Sequence, residues 1–436
     1  MAKFSTNKKE VLKAAVQLKI AMFSVHSCPL GKLGGKDTGG MSVYIRELCR
    51  ELGRRGHMVD VYTRSHEPVH EQIAELDRNA RLIHLKAGQE EEIDKLAIYP
   101  HLADFACEVE SFRKHSGLHY DLIHSHYWLS GRVGQWLQRW WNIPHITMLH
   151  TLGAVKNAIG IGTNEPDLRI NSEKALIKDC HRIIAPTERE KEYLIHYYNA
   201  SPKAISVIPC GVDLELFRSV EKEIARSYLG LDGERIILFV GRTVPIKGIE
   251  KLLRAMTYLD KRQKLKLVVI GGDEYCQAEV ERLKHLSQRL QIHDSVIFLG
   301  LVKQEKLPYF YSAADLCVFP SYYESFGLVA LESLACGTPV VATKVGAMEH
   351  VIRQGETGYV VIDNAPHRLA DKIALFLSMS RPHAIGAIRD SVAKFSWSNI
   401  AEAIIDEYRT VLRGYHAKVE GGKRISKGLN QHPLIP

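Results

Sequence analysis

The sequence predicts an α/β protein built from two Rossmann-like domains that face a cleft. The chain has 436 residues, which exceeds what one hydrophobic core usually supports. Short apolar runs bounded by turn residues alternate with helical patterns, as in parallel sheets built from βα units. The alternation stops at Pro209–Asp213 and restarts at Arg235. This interruption is therefore predicted to be the hinge between the domains.

The predicted strands follow the apolar runs. In the first domain they are residues 18–25, 58–63, 80–85, 122–126, 146–150, 182–186 and 205–208. In the second domain they are residues 235–240, 265–270, 295–299, 316–320, 339–343 and 359–362. Amphipathic stretches lie between them: over 42–52, for example, Val43, Leu48 and Leu52 recur at helical spacing and glycine follows.

This alternation also fixes the predicted domain boundaries. Residues 1–213 form the first domain and residues 214–397 the second. A further helical pattern covers 400–412, and the basic, glycine-containing segment 416–436 is predicted to be poorly ordered.

Composition narrows the class of protein. The eight cysteines are dispersed, without a C-x-x-C pair or zinc-type spacing, which is typical of reduced thiols. The net charge of +8 comes from basic residues spread along the chain, which favours anionic substrates and gives no reason to expect a nucleic-acid partner. Because no apolar run could span a bilayer and no leader pattern is seen, we expect no transmembrane segment and a cytoplasmic location.

The segment Gly241–Gly248 carries the strongest chemical signal. Arg242 and Lys247 lie five residues apart in a loop that follows a predicted strand. Two cations at such a loop can converge on a diphosphate. Taken alone they could equally be solvated charges at a sheet edge, so the prediction depends on the residues that accompany them.

Those residues are Glu324-Ser325-Phe326-Gly327 and Glu332. A helix predicted to begin at Leu328 offers free backbone N–H groups, and the carboxylates can accept sugar and ribose hydroxyls. A paired-carboxylate hydrolase is less favoured, because both glutamates face one ligand from a loop and a helix edge instead of flanking a scissile bond. Together with Arg242 and Lys247, they predict a nucleotide-sugar site.

The first half adds a glycine pair. His26 follows the first strand, and Gly39-Gly40-Met41 opens a helix, where backbone N–H groups and the helix dipole favour an anion. An ordinary glycine turn is the alternative. The lack of G-x-G-x-x-G argues against a dehydrogenase.

Histidines and aromatic residues end two further strands. His124, His126, Tyr127 and Trp128 lie at one strand end, where α/β sheets bind ligands. Packing is favoured over metal binding, because no nearby cysteine or carboxylate set completes a metal site. His150, followed by Thr151, is either structural or in contact with substrate.

In this order, the motifs GGM, HSHYW, HT, GRxxxxK and ESFGLxxxE resemble those of the family 4 retaining glycosyltransferases of GT-B fold. The resemblance runs from Lys19 to about Trp397. It is most marked for the inositol-phosphate N-acetylglucosaminyltransferases of mycothiol synthesis, through 26–30, 37–44, 124–131 and 154–157. Sucrose-phosphate synthases and sucrose synthases are similar through Leu152-Gly153-Ala154 with Lys156.

The resemblance implies specific roles on the donor side. Arg242 and Lys247 would bind the donor diphosphate, and Glu332 the ribose hydroxyls. Glu324 and the backbone of Phe326 and Gly327 would hold the transferred sugar. The implied catalytic residues are His150, Arg242, Lys247 and Glu324, and the implied donor site comprises His26, Gly40, Arg242, Lys247, Val302, Glu324, Ser325, Phe326, Gly327, Leu328 and Glu332.

On the acceptor side, the resemblance implies that Lys95, Tyr127, Thr151 and Arg169 hold a phosphate. The full acceptor set comprises Asp37, Gly39, Gly40, Met41, Ser42, Lys95, Tyr127, Thr151 and Arg169. Two departures concern this side. Ser42 replaces the asparagine expected after GGM, and the loop between Lys156 and Arg169 matches poorly. The implied domain roles are acceptor binding for 1–213, joined by a returning helix at about 398–415, and nucleotide-sugar binding for 214–397.

The expected reaction moves glucose or N-acetylglucosamine from a nucleotide sugar, UDP-glucose or UDP-N-acetylglucosamine, to an acceptor hydroxyl with retention. The acceptor is expected to be a phosphorylated polyol or sugar. No metal is expected in catalysis, although a structural Mg²⁺ ion and a homodimer are compatible with the sequence. A sucrose synthase or sucrose-phosphate synthase type of enzyme, a nucleotide-sugar epimerase, a phosphorylase and a non-catalytic sensor stay open as alternatives.

Overall fold

The structure is a computed structural model that describes residues 17–31, 33, 38–67, 71–231, 233–272, 276–379 and 384–429, the last of these with side chains as far as residue 419. Two α/β units follow each other along the chain.

The first unit contains eight strands and seven α-helices among the described residues. The strands are β1 (Lys19–Phe23), β2 (Met58–Arg64), β3 (Ile73–Asp77), β4 (Ala80–Leu85), β5 (Leu122–His126), β6 (His145–Met148), β7 (Arg182–Ala185) and β8 (Ile205–Val207). The helices are α1 (Gly40–Arg54), α2 (Lys95–Ile98), α3 (Leu102–His115), α4 (Tyr127–Trp141), α5 (Gly153–Ile159), α6 (Asp167–Asp179) and α7 (Glu188–Tyr198).

The second unit contains the remaining strands and most of the remaining helices. Its strands are β9 (Arg235–Val240), β10 (Leu265–Ile270), β11 (Val296–Gly300), β12 (Leu316–Phe319), β13 (Val340–Thr343) and β14 (Gly358–Val361). The helices that follow β8 are α8 (Lys222–Leu229), α9 (Ile249–Met256), α10 (Gln277–Arg289), α11 (Leu307–Ala313), α12 (Leu328–Ala335), α13 (Met348–Val351), α14 (Pro366–Leu377), α15 (Ile385–Asp390) and α16 (Trp397–Leu429).

Each unit has its own sheet, and the predicted fold class of two Rossmann-like domains is confirmed. The first sheet has the order β3-β4-β2-β1-β5-β6-β7-β8, and the second has the order β11-β10-β9-β12-β13-β14. Strand order therefore reverses between β1 and β5 and between β9 and β12. In open α/β sheets such a reversal opens a crevice at the carboxyl ends of the strands, where ligands bind.

One described strand departs from the predicted pattern. β3 is missing from the predicted strands, and it pairs antiparallel with β4 at the edge of an otherwise parallel sheet. Most of its residues are only partly covered, so its sequence lacks the continuous apolar run that identifies a buried parallel strand. A search for continuous apolar runs therefore does not detect an edge strand of this kind.

Two strands end two residues earlier than predicted. β1 ends at Phe23, because the backbone N–H of Val25 donates to the Ser130 hydroxyl, 3.0 Å away, instead of continuing the ladder. β6 ends at Met148, so His150 lies in the loop beyond the strand. Both changes bring residues into the loops at the carboxyl edge of the sheet.

The last helix packs back on the first unit. On α16, Tyr408 is fully buried and its hydroxyl lies 2.7 Å from Nδ1 of His124 on β5. The helix is described as far as Leu429, so it enters the segment 416–436 that the sequence predicts to be poorly ordered. A helix already nucleated by packing extends at little cost. Residues 430–436 lie outside the described part of the chain.

The boundary predicted at residue 213 lies between β8 and β9. One hydrophobic core spans this boundary: buried residues of α1, of the segment 208–217 and of α12 and α16 belong to a single contiguous cluster. The two units are thus packed closely along part of their junction, which holds the site residues of both in fixed relative positions.

Candidate active site

Two loops meet at the reversal point of the second sheet. The loop after β9 carries Lys247 and the loop after β12 carries Glu324, and Nζ of Lys247 lies 2.6 Å from Oε1 of Glu324. The Ser321 hydroxyl donates to the same oxygen at 2.8 Å. Gly248, with φ +69°, allows this approach, because a Cβ there would lie 2.1 Å from the carbonyl oxygen of Pro320.

The other predicted donor residues of this unit differ in burial. Arg242 is exposed, Val302 is half-buried in the loop after β11, and Phe326 is buried. Glu332 on α12 is buried and accepts a hydrogen bond of 2.8 Å from the Tyr311 hydroxyl. Burial raises the pKa of Glu332 to about 7. A carboxyl group that is readily protonated can both donate to and accept from a hydroxyl.

The N-termini of α1 and α12 face each other across the junction of the units. A Cβ on Gly40 would lie 3.3 Å from Cδ1 of Leu328. Glycine occupies the N-cap of both helices, Gly39 and Gly327, and neither first turn contains an acidic residue. The first N–H groups of two helices, neither of them capped by a side chain, and the positive ends of two helix dipoles lie here, which favours an anion.

The carboxyl edge of the first sheet presents two residues in a strained backbone conformation. Tyr127 has φ 77° and His150 has φ 60°. Tyr127 directly follows β5 and His150 lies two residues beyond the end of β6, and non-glycine residues held at positive φ cluster at functional sites. Nε2 of His150 lies 2.9 Å from Nδ1 of His126. Burial lowers the pKa of His150 to about 3, so its ring is neutral near pH 7.

His26 joins this group from the loop after β1. Its ring centroid lies 4.4 Å from that of Tyr127. Burial lowers the pKa of His26 well below its usual range, and the charges of Lys95 and Arg169 lower it further. A neutral imidazole in this position can hydrogen bond to a ligand without adding a charge.

Three residues of the predicted phosphate set come together. The Nη2 atom of Arg169 donates to the Thr151 hydroxyl at 3.0 Å, and the guanidinium lies 4.9 Å from the centre of the Tyr127 ring. Lys95 is half-buried at the start of α2, and its charge acts on His26. The four residues, which come from separate segments, are thus placed around one region of the first unit.

The remaining predicted acceptor residues lie near the start of α1. Gly39 and Met41 are half-buried there and Gly40 is exposed. Ser42 is fully buried, and its hydroxyl lies 2.6 Å from that of Ser27. The side chain of Ser42 is thus turned into the unit instead of toward the cleft. Asp37 lies outside the described residues.

A network around Arg169 was not predicted from the sequence. Nε of Arg169 donates to the fully buried Glu173 at 2.8 Å, and Nη1 donates to Glu165 at 2.8 Å. Glu165 also pairs with Lys156, and Glu173 accepts from the Tyr198 hydroxyl. Glu165, Arg169 and Glu173 are spaced four residues apart, which is typical of ion pairs on the surface of a helix. The sequence therefore does not indicate a buried network.

Contacts between the units were also missed. Ser325 donates its hydroxyl to Glu190 of α7, and the Leu152 N–H donates to the Tyr323 hydroxyl at 3.3 Å. Nη2 of Arg189 lies 2.8 Å from Glu349. The only signal in the sequence is Thr187-x-x-Glu190, which indicates a helix start, and the Thr187 hydroxyl indeed accepts from the Glu190 N–H at 3.0 Å.

Two negative findings concern the described residues. Among them, no group of three or more histidine, cysteine, aspartate or glutamate side chains is arranged to hold a metal ion. None of the described helices combines the length and apolar character that crossing a membrane requires.

Comparison with known families agrees with this geometry. The family described as Glycosyltransferase Family 4 matches residues 38–216. The family described as Glycosyl transferases group 1 matches residues 221–387. The two matches fall on the first and second units respectively.

Individual relatives cover nearly the whole chain. D-inositol 3-phosphate glycosyltransferase 2 of Catenulispora acidiphila is 39% identical over 404 residues, which is 89% of this chain and 94% of that protein. The structure of sucrose-phosphate synthase from Thermosynechococcus elongatus is similar with a TM-score of 0.84 and 34% identity, over 91% of this chain and 100% of that one.

A more distant structure shares the fold. The Anabaena protein HepE, in complex with UDP and glucose, has a TM-score of 0.71 and 18% identity, over 90% of this chain and 100% of that one. Because the relatives above 30% identity align over both units and their junction, the chain belongs to the family 4 glycosyltransferases of GT-B fold, and it is a glycosyltransferase.

Proposed function

We propose that the enzyme transfers a hexosyl group, glucose or N-acetylglucosamine, from a UDP-sugar to a hydroxyl of a phosphorylated polyol or sugar, with retention at the anomeric carbon. One observation carries the proposal. A site suited to a diphosphate, at the N-termini of α1 and α12, and a cationic site of the first unit lie within electrostatic reach of each other, since the charge of Arg242 acts on Lys156. A donor and an anionic acceptor can thus meet at one point.

On the donor side, Lys247 pairs with Glu324 in the loop that leads into α12, and Arg242 lies in the same loop as Lys247. Two side-chain cations and the helix N–H groups would stabilise the negative charge that builds up on the leaving diphosphate. Lys247 is paired with Glu324, and both would turn to the donor, Lys247 to the diphosphate and Glu324 to hydroxyls of the sugar. Glu332 would accept the ribose hydroxyls, and Ser325, Val302 and Leu328 would line the site.

On the acceptor side, the relative at 39% identity is named for D-inositol 3-phosphate. Arg169, Thr151, Tyr127 and Lys95 supply two cations and two hydroxyls, which suits a phosphate of about 1.5 to 2 negative charges. His150 directly precedes Thr151 of this set, and its ring centroid lies 5.3 Å from that of Tyr44 on α1. Its neutral ring would hydrogen bond to a hydroxyl of the transferred sugar.

The chemical step follows from these positions. The acceptor oxygen forms a bond to the anomeric carbon as the bond from that carbon to the leaving phosphate oxygen breaks. The proton of the acceptor hydroxyl passes to that phosphate oxygen, on the same face of the sugar. The protein would contribute orientation and charge stabilisation, and Arg242 and Lys247 would do what a divalent ion does in other transferases.

A second candidate differs in the acceptor. The sucrose-phosphate synthase structure is 34% identical, with a TM-score of 0.84, which favours a hexose phosphate as the alternative to an inositol phosphate. The donor-side chemistry would be the same in both cases.

A panel assay tests the proposal. The enzyme is incubated with UDP-glucose, UDP-N-acetylglucosamine or ADP-glucose and with inositol 3-phosphate, fructose 6-phosphate or their dephosphorylated forms. We expect transfer to one phosphorylated acceptor and an α-linked product by NMR. Equal kcat/KM for phosphorylated and unphosphorylated acceptors would refute a phosphorylated acceptor, and an inverted product would refute retention.

The cytoplasmic location, a homodimer and a structural Mg²⁺ ion also stay predictions. Fractionation of the source cells, sedimentation of the purified enzyme and metal analysis of the protein test them one by one.

A further inference from the structure

The carboxylate of Glu165 lies between two cations of the acceptor side. It precedes α6, and its Oε2 atom lies 2.8 Å from Nη1 of Arg169. Its Oε1 atom pairs with Nζ of Lys156 on α5. Only 28% of the Lys156 side chain, 16% of that of Glu165 and 2% of that of Arg169 are exposed. The bridge is therefore largely shielded from water.

The backbone of Glu165 is held separately from its carboxylate. Nδ2 of Asn157 donates to the Glu165 carbonyl oxygen at 2.9 Å, and the Glu165 N–H donates to Oδ1 of Asn157 at 2.7 Å. These two bonds fix the main chain whichever way the side chain points. The carboxylate can thus leave the cations by side-chain rotation alone.

Arg169 would keep its position if Glu165 left. Its Nε donates to Glu173 at 2.8 Å, and its Nη2 donates to the carbonyl and the hydroxyl oxygen of Thr151 at 2.9 and 3.0 Å. Glu173 is itself held by the Gly153 N–H at 3.0 Å. A departing Glu165 would therefore uncover Nη1 of a fixed guanidinium.

The region needs an anion at this point. Burial, together with the charges of Arg169, Lys95 and Arg242 and against the opposing charge of Glu173, lowers the pKa of Lys156 to about 8. These three cations come from both units and act on Lys156. A phosphate carries more charge and more acceptor oxygens than a carboxylate, so it can replace Glu165 where a neutral hydroxyl compound cannot.

We propose that Glu165 is a specificity-determining residue: its carboxylate occupies the anion subsite between Lys156 and Arg169 until the phosphate of the acceptor displaces it. The inference deepens the proposed function and rests on it. A neutral acceptor could not displace the Glu165 carboxylate from the two cations. It would therefore gain no contact with Lys156 or Arg169, and the enzyme would discriminate against it without any direct clash. The poorly matching loop between Lys156 and Arg169 is where this selectivity would reside.

Binding of inorganic phosphate to the full-length enzyme, without donor, tests the inference. Isothermal calorimetry compares the wild type with Glu165→Gln, which keeps the shape and loses the charge. Removing a competing, partly buried carboxylate should tighten phosphate binding roughly fivefold to tenfold. Glu165→Asp, which is too short to reach both cations, should give an intermediate affinity.

The matched control is Glu110→Gln on α3. Glu110 also bridges an arginine and a lysine, at 2.8 Å from Nε of Arg113 and 3.2 Å from Nζ of Lys114, with 19% of its side chain exposed. It lies in a different ion-pair network, so phosphate affinity should equal that of the wild type. Melting temperatures identify a variant that fails to fold. If Glu165→Gln does not fold, the phosphate affinity of Glu165→Asp decides whether the inference holds.

Unchanged or weaker phosphate binding in the folded Glu165 variants would overturn the inference, because Glu165 would then only brace the loop. Failure of the proposed function looks different. In that case phosphate would bind the Gln variant more tightly, but no phosphorylated acceptor would be glycosylated by the wild type in the panel assay.

Discussion

Glu190 and Ser325 form a hydrogen bond between the two units. Glu190 lies in the first turn of α7, is 2% exposed, and accepts the hydroxyl of Ser325 from the loop that precedes α12. Burial raises the pKa of Glu190 to about 7, the Ser325 hydroxyl opposes this rise, and Glu173 adds to it. A carboxyl group that ionises near neutral pH therefore lies at the contact between the donor loop and the first unit.

The first prediction concerns the pH dependence of stability. Because the folded-state pKa of Glu190, about 7, exceeds its unfolded value, the folded chain binds more protons between about pH 4.5 and 7. The stabilisation from this group is full below pH 4.5 and is lost as the pH rises through 7. Glu190→Gln keeps the acceptor for Ser325 and should remove this loss.

Urea denaturation at several pH values measures the effect. The stability of Glu190→Gln relative to the wild type should rise by up to about 3 kcal/mol between pH 4.5 and 8. Taking the difference cancels the titration of Glu332, which occurs in the same range. Parallel stability curves for the two proteins would contradict the prediction.

The second prediction concerns the diphosphate cations. Lys247→Ala and Arg242→Ala should each lower turnover by roughly two to three orders of magnitude, as removal of one preorganised charge-stabilising donor does. Turnover is measured at saturating donor. Lys284→Ala is the control, because Lys284 on α10 pairs with Glu281 on the surface at 2.8 Å. If either variant kept near wild-type turnover, the substituted residue would be excluded from the diphosphate site.

The third prediction concerns metal removal. If Arg242 and Lys247 neutralise the leaving diphosphate, turnover should persist in EDTA, because no divalent ion is then needed for charge stabilisation. The melting temperature is recorded in the same buffers, so that loss of a structural ion is distinguished from loss of a catalytic one. Activity that disappears in EDTA at unchanged melting temperature, and returns with Mg²⁺ or Mn²⁺, would argue against the mechanism.

The fourth prediction tests the packing of α16 on the first unit. Tyr408→Phe removes the hydroxyl that lies 2.7 Å from Nδ1 of the fully buried His124. An unsatisfied buried polar group costs about 1 to 3 kcal/mol, so the free energy of unfolding should fall by that amount. Tyr415→Phe is the control, since its bond to Asn142 is exposed, and should have little effect. Equal losses in both variants would contradict the prediction.

Much of the fold can be predicted because its signals are local. Strands β9, β10, β12 and β13 lie in the interior of the second, parallel sheet, are largely buried and appear as mostly apolar runs. The edge strand β3 could not be found in this way, because an edge strand needs no continuous apolar run. The loop containing Arg242 and Lys247 could be proposed as a diphosphate site because a strand, a glycine and two cations follow one another in the sequence.

The sequence by itself determined the two-unit α/β architecture, the loops at the carboxyl edges of the sheets and the residue types able to bind a nucleotide sugar. These depend on periodicity and on the order of residues within short segments. Only the tertiary structure decided that Glu190 contacts Ser325, that Ser42 turns to Ser27 and that Glu165 bridges Lys156 and Arg169. Burial and the proximity of distant segments set the partner and the pKa of a charged group, and neither is encoded in its immediate neighbours.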